Sequence, residues 1–183
     1  MPDAEISYLW RPAREGSFNH GRNLPIQSII LHSSCGHKSG DLPTLEGRDA
    51  SHIVSAHWYV DKQGVYYHLV QNKDTAWHVG AVSEPRWSNS ASIGIEQEHL
   101  DGELLADGTV TGGEPWPDVQ VQATARLCVA LEQRLGHLAI THHSIVAVPH
   151  GRKTDPVGFP SEVFWAAWAE ATRKTWVFVE AGA

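Results

Sequence analysis

Cysteine is nearly missing from this sequence. Cys35 and Cys128 are the only two, and no CxxC spacing joins them. That excludes a disulfide framework. Cys128 falls in a helical apolar pattern and reads as a small buried hydrophobe. Long apolar runs are missing as well: no stretch approaches the ~20 residues of a membrane-spanning helix. The opening "MPDAEISYLWRPARE" has no apolar centre of the kind that secretory signals carry. The expectation is a chain that stays in the cytoplasm, where it is made, unless something else releases it. Positive charge is in deficit, with Lys+Arg 14 against Asp+Glu 21 and a net charge of -7. Such a balance does not favour nucleic acid or an anionic membrane, both of which select Lys and Arg. Internal repeats, low-complexity tracts and linkers are absent too.

What is present suits one globular domain over residues 1–183. Hydrophobic residues make up 42% and charged residues 19%, an ordinary balance for a packed core. The core is expected over about residues 24–176, with 1–23 and 177–183 peripheral. "IQSIILHSS" predicts a strand from Ile26 to His32, and "GHKSGDLPTLEGRDA" a polar loop. "VSAHWYV" and "GVYYHLV", separated by "DKQG", predict a β-hairpin. "QNKDTAWHVG" reads as a loop, "ASIGIEQEHL" as a strand, and "DGELLADGTVTGGEPWP" as a turn-rich stretch with room for a short hairpin. "PDVQVQATARLCVALEQRLG" is the clearest helix, with Pro117 at its first position and Gly136 as its stop. "HLAIT" is a short strand. "SEVFWAAWAEATRKTW" is a second helix with Phe164, Trp165 and Trp168 on one face, expected to be core. Mixed strands and helices around a hairpin indicate an α/β or α+β fold, a mixed central sheet flanked by helices.

Twelve histidines are the unusual total. His32 ends an apolar strand and shares the face of Ile30, opposite Ile29 and Leu31, because strand side chains alternate. On "SIGIEQEHL", Ser92, Gly94, Glu96 and Glu98 share one face. Gly94 removes a side chain beside Glu96 and leaves room for a ligand, and a carboxylate there can serve as a general base. Glu98, nearer the strand end, fits an outer polar face better. His143 follows the short "HLAIT" strand, with His142 and His150 as competitors, and Asp155 comes twelve positions later. Two histidines and an aspartate can hold zinc and leave a fourth position for water, which is the pattern of a catalytic site. Zinc there lowers the water's pKa and polarises a carbonyl.

Five collinear pieces carry a resemblance: "IILHSS", "VSAHWYVDKQGVYYHLV", "AWHVG", "SIGIEQE" and "GRKTDP". With them the chain resembles the type 2 N-acetylmuramoyl-L-alanine amidases, zinc hydrolases related to the peptidoglycan recognition proteins. The resemblance implies one zinc ion on His32, His143 and Asp155. It implies catalysis by Glu96, which activates water, and by Lys153, which steadies the oxyanion. His57, Trp77 and His78 match substrate-side positions, although a core-edge role for His57 carries equal weight. Cys35 matches no family ligand. "IVAVPHG" makes the gap between the second histidine and the aspartate two residues longer than is usual in the family. The implied fold has its zinc cleft on one face of a mixed sheet.

The implied reaction is hydrolysis of the amide between N-acetylmuramic acid and L-alanine, in peptidoglycan or in muropeptides. The implied partner is that substrate alone, without nucleic acid or membrane, and the chain is expected to be a monomer. A phage or prophage endolysin acting on the cell wall is the leading role, since the loops at 36–50 and "PRWSNSASIGIE" depart from the recycling branch. The acidic charge weighs the other way, because the wall is anionic. The alternatives are a cytosolic amidase that recycles anhydromuramyl peptides, an antibacterial effector, and a non-catalytic peptidoglycan-binding module.

Overall fold

The computed structural model of the chain describes residues 4–48 and 53–182. The first half contributes β1 (Ala4–Trp10), β2 (Phe18–Asn19), β3 (Ser28–Leu31), α1 (Lys38–Leu45), β4 (Trp58–Val60), β5 (Tyr66–His68), β6 (Thr75–Ala76) and β7 (Ser92–Gln97). The second half contributes β8 (Glu103–Leu104), β9 (Val110–Thr111), α2 (Asp118–Leu135), β10 (Ala139–His142), the helical turn α3 (His143–Val146), α4 (Ser161–Ala171) and β11 (Trp176–Glu180). Seven strands form one mixed sheet in the order β10-β3-β7-β4-β5-β1-β11. β10, β3, β7 and β4 run parallel, and the β4–β5 hairpin is antiparallel. This is the mixed sheet with flanking helices that the sequence predicts. No described helix is long and apolar enough to cross a membrane.

Alternation along β3 and β7 divides the sheet as expected. Ile29, Leu31, Ile93 and Ile95 join Val121, Leu127 and Leu131 of α2 and Phe164 of α4 in the main core. Ile30 lies on the opposite face with Val79, Trp87 and Val146. Polar residues of α2 reach through to the sheet. Buried Gln120 donates Nε2 to the Val60 and Glu98 carbonyls, and Thr124 Oγ1 donates to Gln97 Oε1. Gln97 then donates Nε2 to the His32 carbonyl at 3.0 Å. The helix thereby pins the residue that leaves β3.

Four expectations need revision. The stretch read as a polar loop at 36–50 contains α1, although Pro43 lies inside it; its last two residues are outside those described. Leu42 and Leu45 pack on Ala56, Tyr59, Tyr67 and Leu69, and this burial outweighs the poor helix propensity of Gly40 and Pro43. The flanks read as peripheral supply β1 and β11, which pair in parallel at one side of the main sheet. Pro117 caps α2 from outside, with Asp118 as its first helical residue. On α4, Phe164 faces the core while Trp165 is 48% exposed. One residue along a helix turns the side chain by about 100°, so the two cannot share a face. Phe164→Ala is expected to cost about 3–5 kcal/mol, and Trp165→Ala about 1 kcal/mol or less, in chemical denaturation. Equal losses would contradict this orientation of α4.

Candidate metal centre and active site

The parallel strands β3, β7 and β10 deliver their side chains to one end of the sheet. His32 is the first residue past β3. Its amide donates to the Ile95 carbonyl at 2.9 Å, which continues the ladder. Its side chain lies on the Ile30 face, as alternation requires. His143 opens α3 directly after β10, and the Ser144 amide donates to the Asp155 carbonyl at 2.9 Å, folding the late loop back. Three ligand atoms converge there. His32 Nδ1 is 3.0 Å from His143 Nδ1 and 3.3 Å from Asp155 Oδ2, and His143 Nδ1 is 3.0 Å from Asp155 Oδ2. All three residues are buried, and among the described residues they form the one cluster able to hold a metal ion.

The donor set fits zinc. A tetrahedral site with bonds of about 2.0–2.1 Å has ligand edges of about 3.3 Å, close to the distances seen. His143 Nε2 donates to the Val79 carbonyl at 2.9 Å, so neutral His143 turns a lone pair, not a proton, toward the cluster. A buried carboxylate and ring lone pairs repel one another unless a cation stands between them. Burial pushes His32 down to about 4, with Asp155 acting upward against it. For Asp155, burial acts upward, but the adjoining His143 and His32 rings, whenever they are protonated, outweigh it and hold the carboxyl below its ordinary range.

The competing residues lie elsewhere. His142 packs edge-on against Phe159 at 5.2 Å, and His150 is exposed. Cys35 is exposed as a residue, and partial desolvation of its sulfur together with nearby Asp101 pushes the thiol up to about 12.

Glu96 stands beside the cluster, with Oε1 3.9 Å from His32 Nδ1. Its Oε2 is buried without a hydrogen-bond partner among the described residues. Burial first, and the facing Asp155 charge second, push the carboxyl up to about 8, while Lys153 acts downward. Lys153 itself is exposed on the loop; its charge is felt at both Glu96 and His32. Glu98 is structural, since its carboxylate accepts the Lys38 and Lys62 amides.

Of the two readings open for His57, burial favours the core one, and the expectation for Gly94 is corrected. His57 does not line an opening: it is wholly buried. Its Nδ1 accepts the Gly94 amide at 3.0 Å, and its Nε2 lies 3.2 Å from the Asp74 carbonyl. The space beside Gly94 is not free for a ligand either. A Cβ there would sit 2.4 Å from the His78 ring, so the glycine makes room for an imidazole. Gly94→Ala is expected to destabilise by about 1–3 kcal/mol through overpacking and to weaken metal binding with it. A variant as stable as wild type in urea would refute that packing. Trp77 and His78 are half-buried, on the loop expected for them.

Sequence reasoning missed Arg22 and Asn89. Arg22 donates to the carbonyls of Asn72, Asn89, Ser90 and Ser92, and Asn89 Oδ1 accepts the amides of His78 and Val79. Together they hold a loop that has little ladder of its own. Neither stands in a periodic pattern that would have marked it.

Comparison with known proteins follows the same geometry. The family described as N-acetylmuramoyl-L-alanine amidase matches residues 22–158. No curated protein matches the sequence. Among solved structures, a selenomethionine derivative of AmpD is 23% identical over 91% of this chain and 99% of its own, with a TM-score of 0.70. AmiD from E. coli, in complex with anhydro-N-acetylmuramic acid-L-Ala-D-γ-Glu-L-Lys, is 26% identical over 78% of this chain and 57% of its own, with a TM-score of 0.64. An endolysin from a Thermus scotoductus bacteriophage is 20% identical over 87% of this chain and 92% of its own, with a TM-score of 0.56. The first and third of these likenesses are likenesses of fold.

Proposed function

We propose, from the premise that this chain belongs to the N-acetylmuramoyl-L-alanine amidase family, that it hydrolyses the amide between N-acetylmuramic acid and L-alanine, with one zinc ion held by His32, His143 and Asp155. The observation that carries the reading is the convergence of those three ligand atoms beside Glu96, whose Oε2 has no hydrogen-bond partner among the described residues. When bound, zinc supplies Lewis acidity and a nucleophilic water at neutral pH. Glu96 accepts the proton of the attacking water and delivers it to the departing amine. Its raised pKa places it near the working pH, where a group that both takes and gives a proton is most effective. A positive charge opposes the negative charge that grows on the carbonyl oxygen, and Lys153 supplies one from the loop. Trp77 offers an aromatic surface to the substrate.

The role in the cell divides by substrate. A lysin cuts intact wall, whereas a recycling amidase cuts soluble anhydromuramyl peptides of the kind AmiD holds. The test is incubation of the zinc-loaded protein with purified peptidoglycan and, separately, with soluble anhydromuramyl tripeptide, followed by mass spectrometry. Free L-alanine amino termini from intact wall support the lysin role that the loops favour. Cleavage of the soluble fragment alone supports recycling. Zinc binding without cleavage of either would overturn the enzymatic reading in favour of a binding module.

A further inference from the structure

Whether His32 can act as a ligand through Nδ1 depends on where its single ring proton sits. In neutral imidazole one nitrogen donates and the other accepts, and the neighbours decide which. The decision can be traced outward from His32. Its Nε2 is 2.9 Å from His78 Nδ1. His78 Nε2 is in turn 3.1 Å from Ser92 Oγ. Ser92 Oγ donates to the Ser88 carbonyl at 2.7 Å. A carbonyl only accepts, so it claims the one proton of the Ser92 hydroxyl. The hydroxyl oxygen is then left to accept from His78 Nε2. With its proton on Nε2, His78 presents an Nδ1 lone pair, which accepts from His32 Nε2. His32 therefore has no proton on Nδ1, the atom that faces His143 and Asp155.

We propose that the Ser88 carbonyl, Ser92 and His78 form a directional relay that sets the tautomer of His32 and so prepares its Nδ1 for a divalent cation. His78 is on this reading a positioning residue, not a substrate contact. Val79 does the same for His143 in a single step, since its carbonyl accepts the Nε2 proton. Both histidines thus owe their ligand form to main-chain carbonyls of the 79–88 stretch. The absent side chain at Gly94 belongs to the same device, because the His78 ring occupies that space. The inference rests on the metal site proposed above.

Three variants test it. His78→Leu keeps bulk and removes the acceptor. His78→Asn keeps an acceptor near the position of Nδ1. Ser92→Ala removes the link that orients His78. Zinc affinity is read by competition with a chromophoric chelator, and the His32 tautomer by two-bond proton–nitrogen NMR on the metal-free protein. His78→Leu is expected to weaken zinc binding about 10–100-fold, the usual cost of losing an outer partner of a ligand. His78→Asn should restore most of that loss. Ser92→Ala should lower affinity several-fold and mix the His32 tautomers. The proposal is overturned if His78→Leu binds zinc like wild type, or if His32 in the wild-type protein carries its proton on Nδ1. The tautomer measurement needs neither zinc nor a folded His78 variant. Failure of wild type to bind zinc at all, with the Nε2 tautomer present, would overturn the metal reading and leave the relay standing.

Discussion

Glu96→Gln is expected to lower turnover of an anhydromuramyl peptide about 100- to 10,000-fold, the range in which a positioned acid–base group contributes. Zinc content should stay at the wild-type level. Gln has the shape of Glu and fills the same space on β7, but it cannot take a proton from water. The site gives little reason for collapse. Glu96 Oε2 makes no hydrogen bond that the amide would break, and burial already disfavours the charged carboxylate. The variant should therefore fold at least as stably as wild type. Turnover by chromatography and metal by atomic emission check both halves. A Glu96→Gln protein within tenfold of wild type would remove Glu96 from the chemistry.

His143→Ala should act earlier, at metal retention. It deletes one of three converging donors and removes one of the two hydrogen bonds that the Val79 carbonyl accepts, the other coming from Arg152. The fall in zinc affinity should exceed the roughly 10–100-fold that outer partners cost. Wild type should also gain thermal stability from zinc, about 2.7 kcal/mol at a hundredfold excess over Kd, and His143→Ala should lose that gain. His142→Ala and His150→Ala should keep it, since neither side chain joins the cluster. Full zinc occupancy in His143→Ala would move the second ligand elsewhere.

Strands whose signal is local were legible in the sequence. The apolar runs of β3, β7 and the β4–β5 hairpin announce themselves, and alternation alone puts His32 opposite Ile29 and Leu31, and Glu96 opposite Ile93 and Ile95. β1 and β11 were not legible. They stabilise each other through pairing more than 170 positions apart in the chain, as in Ala4 with Trp176, and nothing in either stretch names the other. α1 was hidden by Gly40 and Pro43, residues that mark loops unless tertiary burial overrules them. The metal cluster was legible as residue types and as a family pattern. Its support was not, because much of it consists of the Val79 and Ser88 carbonyls. A main-chain carbonyl is the same for every residue and leaves no trace in composition or spacing. Arg22 escaped notice similarly: apart from His57, its partners are backbone carbonyls in stretches with no periodicity.

The spacing of the three ligands in the chain has a consequence for how the protein is born. His143 and Asp155 lie 111 and 123 positions beyond His32. On a ribosome His32 emerges early and waits, while the other two arrive only after α2 and β10 have been made. Until then a lone imidazole has no companions with which to hold an ion. In the folded chain the parallel β10–β3 pairing closes that long loop. On the proposed ligand set, zinc would not seed this fold in the way it seeds a small finger domain. Its capture by the proposed ligands would report that β10 has found its place beside β3.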